Sequence, residues 1–168
     1  MIHVCSLARL HATVEETGAR RVVTLMRDVE MVRRPPAIEH ADHLLLRLDD
    51  ISEHIDGFTA PGEEHVAELL TFVRSWDRAA PLVIHCYAGV SRSTAGAFVS
   101  ACALNPRRPE TDIAQDIRRL SPTATPNIRI VRLADRMLGR EGRMVTAIEG
   151  IGRGIECYEG HPFRLDLI

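Results

Sequence analysis

The sequence predicts an α/β fold in which helices flank a central, mostly parallel sheet of about four to five strands. Two observations predict this fold. Short aliphatic and β-branched runs alternate along the chain with segments whose apolar residues recur at helical spacing. In addition, the apolar run at residues 82–84 is bounded by Pro81, His85 and Cys86, as expected of a central strand covered on both faces. A length of 168 residues suits a single domain over residues 1–168.

The first 50 residues contain a βαβ unit and one further strand. Apolar runs predict strands at residues 2–5, 21–26 and 43–48. Between the first two runs, apolar residues recur at helical spacing until Gly18, which predicts a helix ending there. The third run ends at Asp49 and Asp50, so two carboxyl groups directly follow a strand end.

Helical patterns dominate the rest of the chain. Apolar residues at helical spacing predict helices at about residues 61–79, 91–104, 110–120 and 127–138. The second of these is rich in small residues, which let neighbouring elements pack closely around it. Residues 139–168 form a C-terminal extension in which six glycines interrupt any long element. Only residues 144–148 indicate one or two helical turns there.

Composition and charge exclude several classes of function. The chain carries 21 basic and 23 acidic residues, so no broad positive field exists to hold nucleic acid or an anionic membrane. No signal peptide or membrane-spanning run is present, which predicts a cytoplasmic protein. Four cysteines without paired spacing indicate neither a zinc site nor a disulfide framework. His40, His43 and His54 are more typical of solvated loop histidines than of metal ligands, so we expect no metal and no cofactor.

The segment from His85 to Ser93, HCYAGVSRS, contains the residues that predict chemistry. A seven-residue loop between a strand end and a helix N-terminus turns successive backbone N–H groups inward, and the helix dipole reinforces the resulting anion site. Gly89 permits the backbone conformation that this curl needs. Arg92 offers a planar guanidinium that can hold two phosphate oxygens. The loop is therefore a candidate phosphate cradle.

Cys86 would lie at the floor of this cradle. The same positive field favours its thiolate, which is a nucleophile at neutral pH. Ser93 could donate a hydrogen bond to the sulfur and ease its later departure. We expect His85 to fix the loop and not to act as a base, because an existing thiolate needs none.

The segment HCYAGVSRS resembles the His-Cys-x5-Arg-Ser/Thr signature of the cysteine-based protein tyrosine phosphatase superfamily. The resemblance implies that Cys86 forms a phosphocysteine and that Arg92 binds the phosphoryl oxygens. It also implies that Ser93 supplies the hydroxyl after the arginine. The residues implied to bind phosphate are Tyr87, Ala88, Gly89, Val90, Ser91 and Arg92.

The superfamily also uses an upstream aspartate that protonates the leaving oxygen and then helps to activate water. Asp49 and Asp50 both follow the third predicted strand, at the edge where such sheets build their sites. We favour Asp50 as the general acid because it lies further into the loop. Asp49 is the alternate, and Asp56 is a more distant third.

The short chain resembles the compact dual-specificity branch of the superfamily. It has no Trp-Pro-Asp tripeptide, and Pro126-Asn127 resembles a helix start found in that branch. The loop residues between Cys86 and Arg92 are neutral, which disfavours a phosphoinositide headgroup. The implied substrate is a phosphorylated protein, or a small phosphomonoester, with phosphotyrosine-only and dual specificity both open. The sequence contains no signal for the oligomeric state.

Several alternatives stay open. The chain could be an inactive domain that only binds phosphoproteins, or its thiol could serve arsenate reduction or sulfur transfer. Cys102 and Arg108 repeat the Cys-x5-Arg spacing but straddle a predicted helix end, so we expect no site there. A further hypothesis is that peroxide links Cys5 to Cys86. The arginines at residues 107–108 and 118–119 are expected on solvated helix faces.

Overall fold

A computed structural model describes residues 1–167. Within this range the chain forms five strands and six α-helices. The strands are β1 (Ile2–Ser6), β2 (Arg21–Met26), β3 (His43–Arg47), β4 (Leu82–Cys86) and β5 (Phe163–Leu165). The helices are α1 (Leu10–Thr17), α2 (Glu63–Arg74), α3 (Arg92–Leu104), α4 (Glu110–Leu120), α5 (Ile128–Met137) and α6 (Arg143–Ile151).

The five strands form one sheet in the order β3-β2-β4-β1-β5. Pairing is parallel among the first four, and only β5 runs antiparallel, against β1. The prediction of an α/β fold with a mostly parallel sheet is therefore confirmed. Because the parallel strands share a direction, the carboxyl ends of β1, β3 and β4 lie at one edge, where Ser6 is in register with Cys86.

The core lies on both faces of the sheet. The larger cluster includes residues of α2 to α6, whereas the smaller one packs α1 against the opposite face. Every residue of β4 is buried, which confirms the prediction of a central strand covered on both sides. Within residues 1–167, no helix combines the length and the apolar character needed to cross a membrane.

The C-terminal extension contains more structure than its sequence indicates. Residues 139–151 include α6, a nine-residue helix that packs against α4 and α5. Phe163–Leu165 then adds β5 at the edge of the sheet. A three-residue strand is too short for a periodicity to be recognised. The other difference is α2, which ends at Arg74 instead of near residue 79, because Trp76 turns inward and its indole donates to the carbonyl of Ala80.

Candidate active site

The elements that position Cys86 are the central strand and the helix after it. Cys86 is the last residue of β4, and α3 begins six residues later at Arg92. Residues 87–91 form the connecting loop, which we call the phosphate loop. Its position at the carboxyl edge of a parallel sheet, directly before a helix N-terminus, is typical of anion-binding sites in α/β folds.

Four of the five carbonyl groups of the phosphate loop point outward. Four backbone N–H groups from surrounding segments donate to them: Leu7 to Tyr87, Gly160 to Ala88, Thr125 to Val90, and Asn127 to Ser91, at 2.9–3.2 Å. Among the described residues, the amides of Ala88, Val90 and Ser91 have no such partner. Outward carbonyls and unpartnered amides together make the concave side of the loop a site for an anion.

Gly89 is required in this loop for two separate reasons. Its φ of +72° lies in the left-handed region that side chains rarely adopt. In addition, a Cβ at this position would lie 2.8 Å from the backbone carbon of Cys5 and the nitrogen of Ser6. Since neither backbone atom can move aside easily, any larger residue would push the phosphate loop away from β1.

The sulfur of Cys86 lies at the floor of the phosphate loop. It is 3.1 Å from the hydroxyl of Ser93, and the amide of Gly89 donates to it at 3.3 Å. Cys86 is only 2% exposed, and Ser93 is fully buried at the first turn of α3. The structure thus brings Cys86 and Ser93 together as predicted from their spacing.

Arg92 extends across the end of β3. Its Nη1 donates to the carbonyl of Leu48 at 3.1 Å. Its Nε is buried and has no hydrogen-bond partner among the described residues. An unpartnered buried donor on a charged group is costly, and a phosphoryl oxygen would satisfy it.

His85 belongs to a buried chain of side-chain hydrogen bonds beneath the phosphate loop. Its Nδ1 donates to the carbonyl of Cys86 at 3.1 Å, and its Nε2 lies 2.6 Å from the hydroxyl of Thr24. The same hydroxyl is 2.8 Å from Nε2 of His43. Burial lowers the pKa of both His85 and His43 to about 4, so both rings are neutral at pH 7.

The hydrogen bonds among His43, Thr24, His85 and the Cys86 carbonyl allow one consistent assignment of hydrogens. A carbonyl can only accept, so the hydrogen of His85 is on Nδ1 and its Nε2 accepts from Thr24. The Thr24 oxygen then accepts from Nε2 of His43. The His85 ring therefore bonds to the backbone at Cys86, and the structure shows no hydrogen bond from it to the sulfur.

The structure places the three candidate aspartates differently. Oδ1 of Asp50 accepts from the hydroxyl of Ser91 at 2.7 Å and from Nδ2 of Asn127 at 2.8 Å, so Asp50 reaches the rim of the phosphate loop. Asp49 is 7% exposed and accepts from the amide of Thr59 at 2.7 Å, which holds its own loop together. Asp56 is exposed and pairs with a neighbouring histidine. Only Asp50 is brought to the loop.

Asn127 is a site residue that the sequence analysis left without a role. Its side-chain oxygen caps α5 by accepting from Arg129 and Ile130, each at 3.1 Å. Its amide nitrogen donates to Asp50 and, at 3.3 Å, to the carbonyl of Ile51. The helix start at Pro126-Asn127 was a visible signal, but the contact with Asp50 spans 77 positions in the sequence.

A cleft of about 570 Å³ opens beside Asp50 and the end of the phosphate loop. One side is formed by Asp50, Val90 and Ser91, and the other by residues 153–158 of the C-terminal extension. The sequence contained no signal for this second wall, because the segment is irregular.

Of the remaining cysteines, Cys5 and Cys102 are buried in the core, whereas Cys157 is exposed and lines the cleft. Burial raises the pKa of both the Cys5 and the Cys102 thiol to about 12. Arg108 pairs with Asp116, and no anion-binding loop lies between it and Cys102, since residues 102–104 belong to α3.

The hypothesis of a link between Cys5 and Cys86 is not supported by the strand register. Cys5 is in register with His85 and packs in the smaller core cluster beside α1. The Cys86 sulfur instead contacts Ser93 of α3. Because side chains alternate between the faces of a sheet, the two thiols point to opposite sides.

Comparisons with known proteins identify the family and the fold of this chain. The sequence model of the family Tc-R-P, described as "Polymorphic toxin system, DSP-PTPase phosphatase", matches residues 5–105, more than half of the chain. No curated protein sequence matches the chain significantly.

Solved phosphatase structures share the fold. The PTP-2 phosphatase of Cydia pomonella is 20% identical, with a TM-score of 0.63 over 80% of this chain and 84% of that chain. Human DUSP28 is 14% identical, with a TM-score of 0.62 over 83% and 94%. The human tyrosine phosphatase-like serine/threonine/tyrosine-interacting protein is also 14% identical, with a TM-score of 0.60 over 83% and 92%.

Identities this low show the fold alone, whereas the family match rests on the sequence itself. That match includes β4, the phosphate loop and the whole of α3. The chain therefore belongs to the DSP-PTPase phosphatase family of polymorphic toxin systems, in the compact dual-specificity-like branch of the cysteine-based phosphatases.

Proposed function

We propose that this protein hydrolyses phosphomonoesters, on phosphorylated proteins or on small molecules, through a phosphocysteine on Cys86. The observation that supports this most directly is the buried Nε of Arg92, which has no partner among the described residues. This Nε and the unpartnered amides of the phosphate loop are all donors that need an acceptor. An anion with several oxygens supplies acceptors to all of them. A phosphoryl group meets that requirement directly above a sulfur nucleophile.

In the first step, the Cys86 thiolate attacks phosphorus and the bond to the ester oxygen breaks. The loop amides and Arg92 hold the three phosphoryl oxygens as charge builds up on them. Asp50 gives its proton to the departing oxygen. The products are the free alcohol, an S–P bond on Cys86 and an ionised Asp50.

Asp50 is arranged for this proton transfer. Ser91 and Asn127 both donate to its Oδ1, and the described residues offer no partner to Oδ2. Oδ2 is therefore the oxygen that carries the proton to the leaving group. The two donors fix the carboxyl plane over the cleft.

In the second step, the Asp50 carboxylate takes a proton from water while the water oxygen attacks phosphorus. The S–P bond breaks, inorganic phosphate leaves, and the thiolate is restored. Ser93 lies 3.1 Å from the sulfur and can donate to it as negative charge returns. This contact belongs to the step in which sulfur is the leaving group.

Turnover of p-nitrophenyl phosphate tests the proposal. Cys86→Ser should lower kcat at least about 1,000-fold, because the nucleophile is lost. Arg92→Ala should lower kcat/KM by about 100- to 1,000-fold, as expected when a donor to developing charge is removed. Denaturing the parent enzyme during turnover should trap phosphate on the peptide that contains Cys86, detectable by mass spectrometry.

Cys102→Ser is the matched control, since Cys102 is a buried thiol with the same spacing to an arginine. It should turn over substrate at the parental rate. If Cys86→Ser retains parental activity, the mechanism is wrong. If the parent binds phosphopeptides without any turnover, the protein is a binding module instead.

A further inference from the structure

The second wall of the cleft, residues 153–158, is held by hydrogen bonds at both ends although it has no regular secondary structure. At its start, Arg118 donates from Nη1 to the carbonyl of Pro122 and from Nη2 to that of Gly152, each at 2.7 Å. Arg118 is thus a structural clamp, which corrects the expectation of a purely solvated helix face. The amide of Gly154 then donates to Thr125 Oγ1 at 3.0 Å.

Two further bonds hold the wall to the phosphate loop and its neighbours. The amide of Ile155 donates to the carbonyl of Pro122 at 3.0 Å. Beyond the other end of the wall, the amide of Gly160 donates to the carbonyl of Ala88 at 2.9 Å, inside the phosphate loop. The wall is therefore anchored on both sides of the cleft mouth, and its height above the phosphate loop is set by backbone contacts.

Between these anchors the wall presents large side chains to the cleft without covering them. Ile155 is 68% exposed, and Tyr158 is fully exposed, yet both line the same cleft as Asp50 and Ser91. An aromatic side chain on a clamped backbone loses little conformational freedom when a ligand packs against it. This position is suited to a contact made only when substrate is bound.

We propose that this wall recognises the aromatic ring of a phosphotyrosyl residue, with Tyr158 as a specificity-determining residue. The inference rests on the proposed function, because it needs the phosphate to be seated over Cys86. With its phosphate seated there, such a residue extends its ring into the adjoining cleft, which Val90, Ile155 and Tyr158 line. Phosphoserine has no ring, so it gains nothing from these side chains.

The test compares two peptides of the same sequence that carry phosphotyrosine or phosphoserine, together with inorganic phosphate as a competitive inhibitor. Tyr158→Ala should lower kcat/KM for the phosphotyrosine peptide by about 3- to 10-fold, the range expected for loss of one aromatic contact. The value for the phosphoserine peptide and the inhibition constant of phosphate should stay within about 2-fold of the parent. Tyr158→Phe should behave like the parent, because it keeps the ring.

A second variant moves the wall without removing a side chain from it. A Cβ on Gly154 would lie 2.5 Å from the carbonyl carbon and oxygen of Thr123, so Gly154→Ala must displace the wall from that loop. We expect the same selective loss for the phosphotyrosine peptide. Met137→Ala is the control, since Met137 is an exposed apolar residue at the far end of α5.

The outcomes separate this inference from the proposed function. If the parent hydrolyses the phosphotyrosine peptide and Tyr158→Ala does so equally well, the inference is wrong and the proposed function stands. Equal losses for both peptides and for phosphate inhibition would also overturn it, because the effect would then lie in the phosphate loop. If the parent turns over no phosphoester, the proposed function fails first, and the inference with it.

Discussion

At the scale of single residues, the most constrained group outside the sulfur is the His85 ring. It is fully buried between Thr24 and the carbonyl of Cys86, and the hydrogen bond that its Nε2 accepts from Thr24 requires the neutral form described above. A proton added to Nε2 would leave the Thr24 hydroxyl facing a donor. The stability of this buried hydrogen-bond chain therefore depends on pH.

The sign of this dependence follows from the lowered pKa. Burial lowers the pKa of His85 from 6.5 to about 4, so the unfolded chain takes up a proton first as the pH falls. Stability is therefore fully present above about pH 6.5 and is lost toward pH 4. Between pH 7 and pH 5 this one group should remove about 2 kcal/mol from the free energy of unfolding.

Urea denaturation at the two pH values measures that loss. His85→Asn cannot take up the proton, so its stability should decline by about 2 kcal/mol less than that of the parent over the same interval. His54→Asn is the control, because His54 is exposed and should leave the parental decline unchanged. If the free energy of unfolding declines equally in His85→Asn and in the parent, the proton is taken up by a group other than His85.

At the scale of elements, the acid loop after β3 depends on the start of α5. Asn127 uses its oxygen to cap the helix and its nitrogen to hold Asp50, so one side chain links two elements at the cleft. Asn127→Asp separates the two tasks. It keeps an oxygen for the cap but replaces the donor to Asp50 with a second carboxylate.

We expect Asn127→Asp to lower kcat/KM about 10- to 100-fold for an ester with a poor leaving group, since a hydrogen bond to a carboxyl group is lost. The effect should be much smaller for p-nitrophenyl phosphate, whose leaving group needs little protonation. Rates for a series of aryl phosphates with increasing leaving-group pKa measure this difference.

The double variant Asn127→Asp/Asp50→Asn supplies the control. If Asn127 acts only through Asp50, its substitution should cost almost nothing once the acid is already removed. Full additivity of the two losses would place the role of Asn127 elsewhere, for example in the stability of α5.

The same elements show what the sequence could and could not predict about the site. Cys86, Arg92 and Ser93 could be assigned because strand, loop and helix are consecutive, and their geometry is set by local backbone rules. Asp50 and Asp49 could not be separated in the sequence, because both follow the same strand. Their difference arises from partners on distant segments, Asn127 for one and Thr59 for the other.

At the scale of the whole molecule, the C-terminal extension belongs to the same core as the site. Leu165 of β5 is fully buried in the larger core cluster, and the wall of the cleft lies between α6 and this strand. The sequence predicted the parallel sheet because its strands and helices are long enough to show their periods. It did not predict β5, since a three-residue strand is defined by its pairing with β1 and not by a pattern of its own.

Residues 1–168 should therefore unfold as a single domain, and Leu165 provides the test. Leu165→Ala should lower the free energy of unfolding by about 2–5 kcal/mol, because it leaves a cavity in the shared core. Trp76, buried in the same cluster, reports the core by fluorescence, and circular dichroism reports the helices. The two signals should shift together to lower urea concentration, whereas Arg164→Ala, an exposed position on the same strand, should shift neither appreciably. Transitions that separate in Leu165→Ala, or a loss confined to the extension, would instead show that β5 is an appendage that folds independently of the sheet holding Cys86.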